Sequence, residues 1–327
     1  MSTSTRSHVP DVNHKADPNA AVNAGQIQER TTKGSSSSAP RKVRFNVGTS
    51  YQVVDVIGEG AYGVVASAVH RPSGSKVAIK KIAPFDHSMF ALRTLRELKL
   101  LKYFAEEGVS ENIISVLDII KPPSYDTFKE VYLVQELLET DLHRVIRTQD
   151  LSDDHCQYFL YQTCRALKAL HSAESRSGSL VLPSSSPFPF FQVQTAHNQL
   201  ALILDVLGTP TIDEFHAITS KRSKDYIRSL PFRKKRTFES LYPKANPLAI
   251  DFLSKTLTFD PRKRYTVEQC LIHPYLNAYH DPEDEPSAKP LPPSFFEFDM
   301  VKDDISREEL KRLLYEEIMG FNPVLEG

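Results

Sequence analysis

From Tyr51 onward the hydrophobic positions come in short β-branched runs, YQVVDVIG, GVVASAVH and KVAIKKI, parted by turn residues such as the RPSG of Arg71 to Gly74. That texture predicts three sequential strands of an antiparallel meander. The period then changes. In MFALRTLRELKLLKYF, Met89, Leu92, Leu95, Leu98 and Leu101 recur at helical spacing and predict an amphipathic helix of several turns. Two further strand candidates follow, IISVLDII and EVYLVQEL, so five strands and one helix make a small β-rich lobe.

After Asp141 the pattern is helical. Ser152 is placed to cap a helix with Asp153 and Asp154 in its first turn, and Phe159, Leu160, Leu167 and Leu170 form its stripe. The pattern then breaks. Glu174 to Gln194, ESRSGSLVLPSSSPFPFFQVQ, holds three prolines and six serines with no period of two or 3.6, and is foreign to its neighbours. Periodicity returns in QLALILDVLG, where Leu200, Ile203, Leu204 and Leu207 form a stripe stopped by Gly208 and Pro210. NPLAIDFLSKTLTF and VEQCLIHPYL continue a mainly α second lobe. A Pro- and acid-rich linker, DPEDEPSAKPLPP, leads to a last helix in which Ser306 and Glu309 fit a capping box.

The chain has 327 residues, 40% apolar and 25% charged, with a formal charge of −1, which is ordinary globular composition for one or two domains. Near-neutral charge argues against a whole-protein design for nucleic acid or anionic membrane. The basic runs RKVRF (Arg41, Lys42, Arg44) and PFRKKR (Arg233, Lys234, Lys235, Arg236) are read as surface charge rather than nuclear import or nucleic-acid contact. Cys156, Cys164 and Cys270 have no Cys-x-x-Cys spacing, which favours a reducing compartment. His155, His171, His197 and His273 show no metal-site spacing. No apolar stretch approaches the roughly 18 residues of a membrane span. No signal-like segment opens the chain. The expected compartment is cytoplasm, with the nucleus as the alternative. Residues 1–39, rich in Ser, Thr, Asn and Pro, read as a disordered tail.

GEGAYGVV sets Gly58, Gly60 and Gly63 in a GxGxxG spacing between two strand patterns rather than at a helix start. Glycines there let backbone approach a triphosphate, and Val65 could cover an adenine ring; a flexible hairpin turn is the equal alternative. Lys80 in KVAIKKI could face a cleft below that loop, with Glu97 one helix away as counter-ion. Taken separately, Lys80 could be a solvated strand lysine and Glu97 a surface partner of Arg93. VYLVQELLETDL would let Glu136 and Leu138 offer backbone groups to an adenine edge and Asp141 reach a ribose hydroxyl.

In IGEGAYGVV, VAIKKI, TLRELKLL, VQELLETDL, ILDVLGTP, LTFDPRKR and HPYLNAYHDPEDEP, the chain resembles the mitogen-activated protein kinases. The likeness is strongest to the ERK-like group of fungal pheromone-response and filamentation enzymes. It covers about Val43 to Ala173 and resumes near Asn198. It implies an α+β, bilobal protein-kinase-like fold with an internally truncated, mainly α large lobe. The implied plan is a tail to residue 46, a small lobe over 47–139, the start of the large lobe over 140–173, an unrelated insert over 174–197, the rest of the large lobe over 198–279, and a docking linker with the C-terminal helix over 280–327. The implied ATP site comprises Ile57, Gly58, Glu59, Gly60, Ala61, Tyr62, Gly63, Val64, Val65, Lys80, Glu97, Glu136, Leu138 and Asp141. Asp281, Glu283 and Asp284 match an acidic docking patch for basic peptides of protein substrates, upstream kinases and phosphatases; a solvated linker is the alternative. The implied activity is phosphorylation of Ser or Thr before Pro, with no membrane and no direct nucleic-acid partner.

One departure changes that expectation. The catalytic loop HRDLKPxN should follow ALKALHSA, where ESRSGSLV stands instead; DFG, the Thr-x-Tyr activation site and APE are also missing from their places. No catalytic residue and no metal ligand can therefore be assigned, although ATP with Mg²⁺ is what the family uses. The expectation is an inactive chain, with a non-catalytic docking or nucleotide-binding module, or a splice fragment without stable fold, as the alternatives. Arg264 in DPRKR matches the arginine that pairs with the APE glutamate and should be left without its partner.

Overall fold

The structure is a computed structural model that describes residues 27–32, 40–60, 63–86, 88–174, 196–302 and 304–325. The described chain divides into two compact units. The first runs to Lys102 and takes in Ser115–Leu137 and the chain from Val301 on; the second comprises Tyr103–Ile114 and Leu138–Met300.

In the first unit β3 (Tyr51–Gly60), β4 (Gly63–His70), β5 (Lys76–Ile82), β6 (Val116–Ile119) and β7 (Val131–Glu136) form an antiparallel sheet in the order β3-β4-β5-β7-β6. In β4, burial alternates at every residue, so Val64, Ala66 and Ala68 share one face while Val65 lies on the other. The first face packs into one core with Val53, Val56, Val77, Ile79 and Val134. What covers it corrects the expectation of a disordered tail to residue 46. β1 (Gln28–Thr31) and β2 (Lys42–Phe45) pair antiparallel, and Val43, Phe45 and Val47 enter that same core. KVRF alternates charged and apolar residues, and burying Phe45 offsets the cost of ordering so short a strand. Residues 1–26 and 33–39 lie outside the described residues.

The opposite face carries Lys80 and meets helix α1 (Ser88–Glu107). The buried line of α1 is Ala91, Leu95 and Leu98. Met89, expected on that stripe, is 49% exposed in the first turn. Thr94 is buried beside Leu95 because its hydroxyl donates to the Phe90 carbonyl at 2.8 Å, which satisfies it within the helix.

The second unit is helical: α2 (Leu142–Thr148), α3 (Asp153–Glu174), α4 (Ala196–Leu207), α5 (Ile212–Ala217), α6 (Lys221–Ser229), α7 (Phe238–Leu241), α8 (Pro247–Thr256), α9 (Val267–Leu271) and α10 (Glu297–Met300). Its core joins Tyr161 and Cys164 of α3 to Phe252 of α8, Cys270 and Leu271 of α9, and Tyr275 and Leu276. The fully buried line of α3 is therefore Tyr161, Cys164, Arg165, Ala169 and Ala173, with the expected Phe159, Leu160, Leu167 and Leu170 only half-buried beside it. α4 stops at Gly208, whose positive φ of 78° suits glycine; a Cβ there would lie 2.6 Å from the Lys235 nitrogen. Arg233 also ion-pairs with Asp205, so this part of the PFRKKR run braces α4.

The last helix, α11 (Arg307–Met319), belongs to the first unit, where Leu310, Leu314 and Ile318 are fully buried. Ser306 caps it through the Glu309 amide at 3.1 Å. The expected capping box is only half made, because the Glu309 carboxylate turns to Arg312 at 2.6 Å. Among the described residues no helix is long and apolar enough to cross a membrane.

Candidate nucleotide clamp and acidic docking loop

The glycine-rich turn joins β3 to β4, with Gly58 opposite Val65, Glu59 opposite Val64 and Gly60 opposite Gly63. The three glycines are not equivalent. A Cβ on Gly63 would stand 2.0 Å from the Lys81 carbonyl oxygen, so packing against β5 demands glycine there. A Cβ on Gly58 would make ordinary contact with Val65 at 3.7 Å, and one on Gly60 would meet nothing within 4 Å. Neither has positive φ. Among the described residues, internal sterics give no reason for glycine at 58 or 60. Glu59 is held by Arg41 at 2.6 Å, a partner that sequence reasoning missed. Ile57 is exposed at the mouth of the turn. Ala61 and Tyr62 lie outside the described residues.

Beside the turn, β5 places Lys80 opposite Val65 of β4 and Leu133 of β7. Its ammonium makes an ion pair with the Glu97 carboxylate of α1. Both side chains are partly exposed, so the pair contributes little to stability, and its use lies in fixing where the ammonium points. Glu136 closes β7 opposite Val77. In the second unit, Leu138 is 61% exposed, and the Asp141 carboxylate accepts from the Arg144 amide at 2.8 Å, capping α2.

In the second unit the acidic segment is tied along α3. The Asp281 amide donates to the Tyr161 hydroxyl at 3.2 Å, the Ala288 amide to the Ser172 hydroxyl at 2.8 Å, and the Leu291 amide to the Ala173 carbonyl at 2.8 Å. Burial pushes the Tyr161 phenol up from its ordinary range, which keeps it a neutral partner for that amide. Between these ties Arg165, only 5% exposed, sends Nε to the Asp284 carbonyl at 2.9 Å, Nη2 to the Asp284 carboxylate at 3.0 Å and Nη1 to Glu111 at 2.9 Å. Glu285 is buried beneath the loop against Lys168 and His280. Asp281, Glu283 and Asp284 are left exposed on an anchored loop. Arg165, Glu111 and Glu285 were not singled out from sequence; the signal available was an arginine and a lysine, Arg165 and Lys168, at helical spacing from Tyr161 and Cys164 on the side of α3 that meets the core.

At DPRKR, Arg262 grips Asp260 through two bonds of 2.8 and 3.0 Å and holds its carboxyl down to about 2. Arg264 gives Nη2 to the Thr258 carbonyl at 3.0 Å, but its buried Nε has no hydrogen-bond partner among the described residues. No cluster of three or more His, Cys, Asp or Glu among them is placed to hold a metal ion.

The protein kinase domain family matches residues 51–175. The mitogen-activated protein kinase PMK1 of Pyricularia oryzae is 50% identical over 357 aligned positions, covering 89% of this chain and 99% of the relative. The mitogen-activated protein kinase mpkB of Aspergillus fumigatus is 51% identical over 346, covering 85% and 97%. Extracellular signal-regulated kinase 1 of Candida albicans is 46% identical over 365, covering 86% and 87%. A sheet-rich first unit followed by a helical one, with this glycine turn and lysine–glutamate pair, is the α+β protein kinase fold, and the chain belongs to the mitogen-activated protein kinase family of serine/threonine kinases, among its ERK-like fungal members.

Proposed function

We propose that this chain is a catalytically silent mitogen-activated protein kinase that keeps the nucleotide clamp and the acidic docking loop. The observation that carries the reading is the stretch between Ala173 and Asn198. It holds ESRSGSLVLPSSSPFPFFQVQTAH where the family has HRD, DFG, Thr-x-Tyr and APE in succession. Two further observations support it. The alignment with PMK1 runs to 357 positions, more than the 327 residues of the whole chain, so the relative carries a stretch without counterpart here. The Nε of Arg264, buried and without a hydrogen-bond partner among the described residues, is what loss of the APE glutamate would leave behind.

Phosphoryl transfer rests almost wholly on positioning and charge neutralisation. In this reading Lys80, steered by Glu97, and the amides around Gly58 and Gly60 hold the phosphates of ATP. The aspartate that orients the substrate hydroxyl is absent. So are the aspartate and asparagine that hold Mg²⁺ in the family, and the residues present do not fit that ion. ATP then binds without metal and weakly, with a Kd of roughly 1 mM, about 4 kcal/mol. Displacement of a fluorescent ATP analogue measures it, and Lys80→Met should weaken binding about tenfold with an unchanged melt. Equal affinity in the variant would remove the clamp from the account.

Asp281, Glu283 and Asp284 then provide the remaining activity, capture of basic docking peptides from substrates, upstream kinases and phosphatases in the cytoplasm or nucleus. A second reading, a spliced remnant with poor stability, draws on α4, where among the residues whose burial is described (200–207) only Leu204 is fully buried, and on Leu248 of α8, which is exposed.

A further inference from the structure

β3 stands at the edge of the five-stranded sheet, so the glycine-rich turn at its end is paired with a strand of that sheet on one side only, by β4. Side chains of β1 serve its other edge. The Gln28 side-chain nitrogen donates to the Tyr51 carbonyl at 2.8 Å, and the Gln28 side-chain oxygen accepts from the Val53 amide at 2.9 Å. Arg30 sends Nε to the Val54 carbonyl at 3.0 Å and Nη2 to the Val53 carbonyl. These bonds satisfy groups that an edge strand otherwise leaves to water. Farther along β3 the β1–β2 ribbon takes hold of the turn itself, through the ion pair of Arg41 with Glu59. Arg41 is fixed at its backbone: the amide of buried Thr32 donates to the Arg41 carbonyl at 2.9 Å, and the Arg41 amide donates to the Thr32 hydroxyl at 3.1 Å. Glu59 is fixed by register. It stands opposite Val64, and cross-strand partners project to one face, so its side chain lies on the face packed by Val43 and Phe45. Lys80 stands opposite Val65, on the other face.

We propose that Arg41 is a positioning residue: through Glu59 it holds the glycine-rich turn from the side away from Lys80, which makes the β1–β2 ribbon a working part of the nucleotide clamp. The consequence for nucleotide rests on the clamp proposed above for Lys80 and the turn; the hold on the turn does not. Three glycines give this turn more backbone freedom to lose on ordering than side-chain-bearing residues would. Ordering it before a ligand arrives removes that cost from binding. Arg41 is 62% exposed and Glu59 29%, so the pair adds little to the stability of the whole unit, and its effect is local. Breaking it frees the turn and leaves the sheet intact.

Amide hydrogen exchange of the full, nucleotide-free chain, read by mass spectrometry, tests the hold on the turn, and displacement of the fluorescent ATP analogue tests its consequence. In Arg41→Glu, peptides across residues 57–64 should exchange roughly threefold faster and the analogue should bind roughly threefold more weakly, while peptides across β5 keep their rates. Combining Arg41→Glu with Glu59→Arg should restore slow exchange of the turn, a rescue that lost packing alone would not allow. Unchanged exchange of the turn in Arg41→Glu, equal acceleration of β5, or failure of the exchanged pair to restore slow exchange would each overturn the proposal. So would a faster turn with unaltered affinity in a chain whose binding depends on Lys80. Analogue binding that Lys80→Met leaves unchanged would remove the nucleotide clamp but not the hold of Arg41 on the turn, which the exchange rates decide by themselves.

Discussion

Gly63→Ala is expected to abolish cooperative folding of the first unit, at a cost of about 4 kcal/mol or more, while Gly60→Ala leaves the melt within about 0.5 kcal/mol. The added methyl at 63 would lie 2.0 Å from the Lys81 oxygen and 3.0 Å from the Lys81 carbon, both backbone atoms of the central strand β5. No rotamer relieves that overlap; only moving β4 away from β5 does, and that breaks the pairing of Gly63 with Ile82 and Val65 with Lys80. At Gly60 the same methyl meets nothing within 4 Å among the described residues. Thermal melts of the two variants followed by circular dichroism check this. Equal destabilisation would mean that all the glycines of the turn serve folding and none is kept for a ligand.

The second large effect is expected at Arg165. Arg165→Ala should cost about 3 kcal/mol and lower the melt of the second unit by several degrees, and Arg165→Lys should recover little of it. Glu111 and Asp284 are 74% and 69% exposed, so their charges return to water at small cost when the arginine goes. What is lost is the set of directed bonds from one planar guanidinium to Glu111, Gln162 and both the carbonyl and carboxylate of Asp284. A lysine ammonium cannot make them together. An unchanged melt in Arg165→Ala would mean that the acidic loop is held by its other ties to α3, at Tyr161, Lys168, Ser172 and Ala173.

What was legible in the sequence, and what was not, follows the range of the interactions. β3, β4 and β5 could be read because their ends are marked by local turn chemistry; α5 was not read, although, like α9, it carries a capping box within its own first turn, at Thr211 with Glu214 and Thr266 with Gln269. β1 and β2 could not, because four-residue strands are stable only through distant partners: Phe45 is buried against a core that includes Ile79 and Tyr132. For Glu97, spacing alone left Lys80 and Arg93 as competing partners, and the resemblance to a kinase favoured Lys80, with which the structure pairs it. Arg165 was missed because a charged residue within a helix ordinarily faces solvent, and its partners stand 54 and 119 residues away. The stop at Gly208 was visible, but the backbone approach of Lys235 that makes glycine necessary was not.

In the proposed function this chain holds a nucleotide without transferring its phosphate. The most direct measurement incubates the purified full chain with radiolabelled ATP, Mg²⁺ and a generic basic protein substrate, beside its Lys80→Arg variant. No labelled substrate above background is expected for either protein. Incorporation by the unaltered chain that is lost in Lys80→Arg would contradict it, and would mean that other residues of this sequence take the place of the missing catalytic loop.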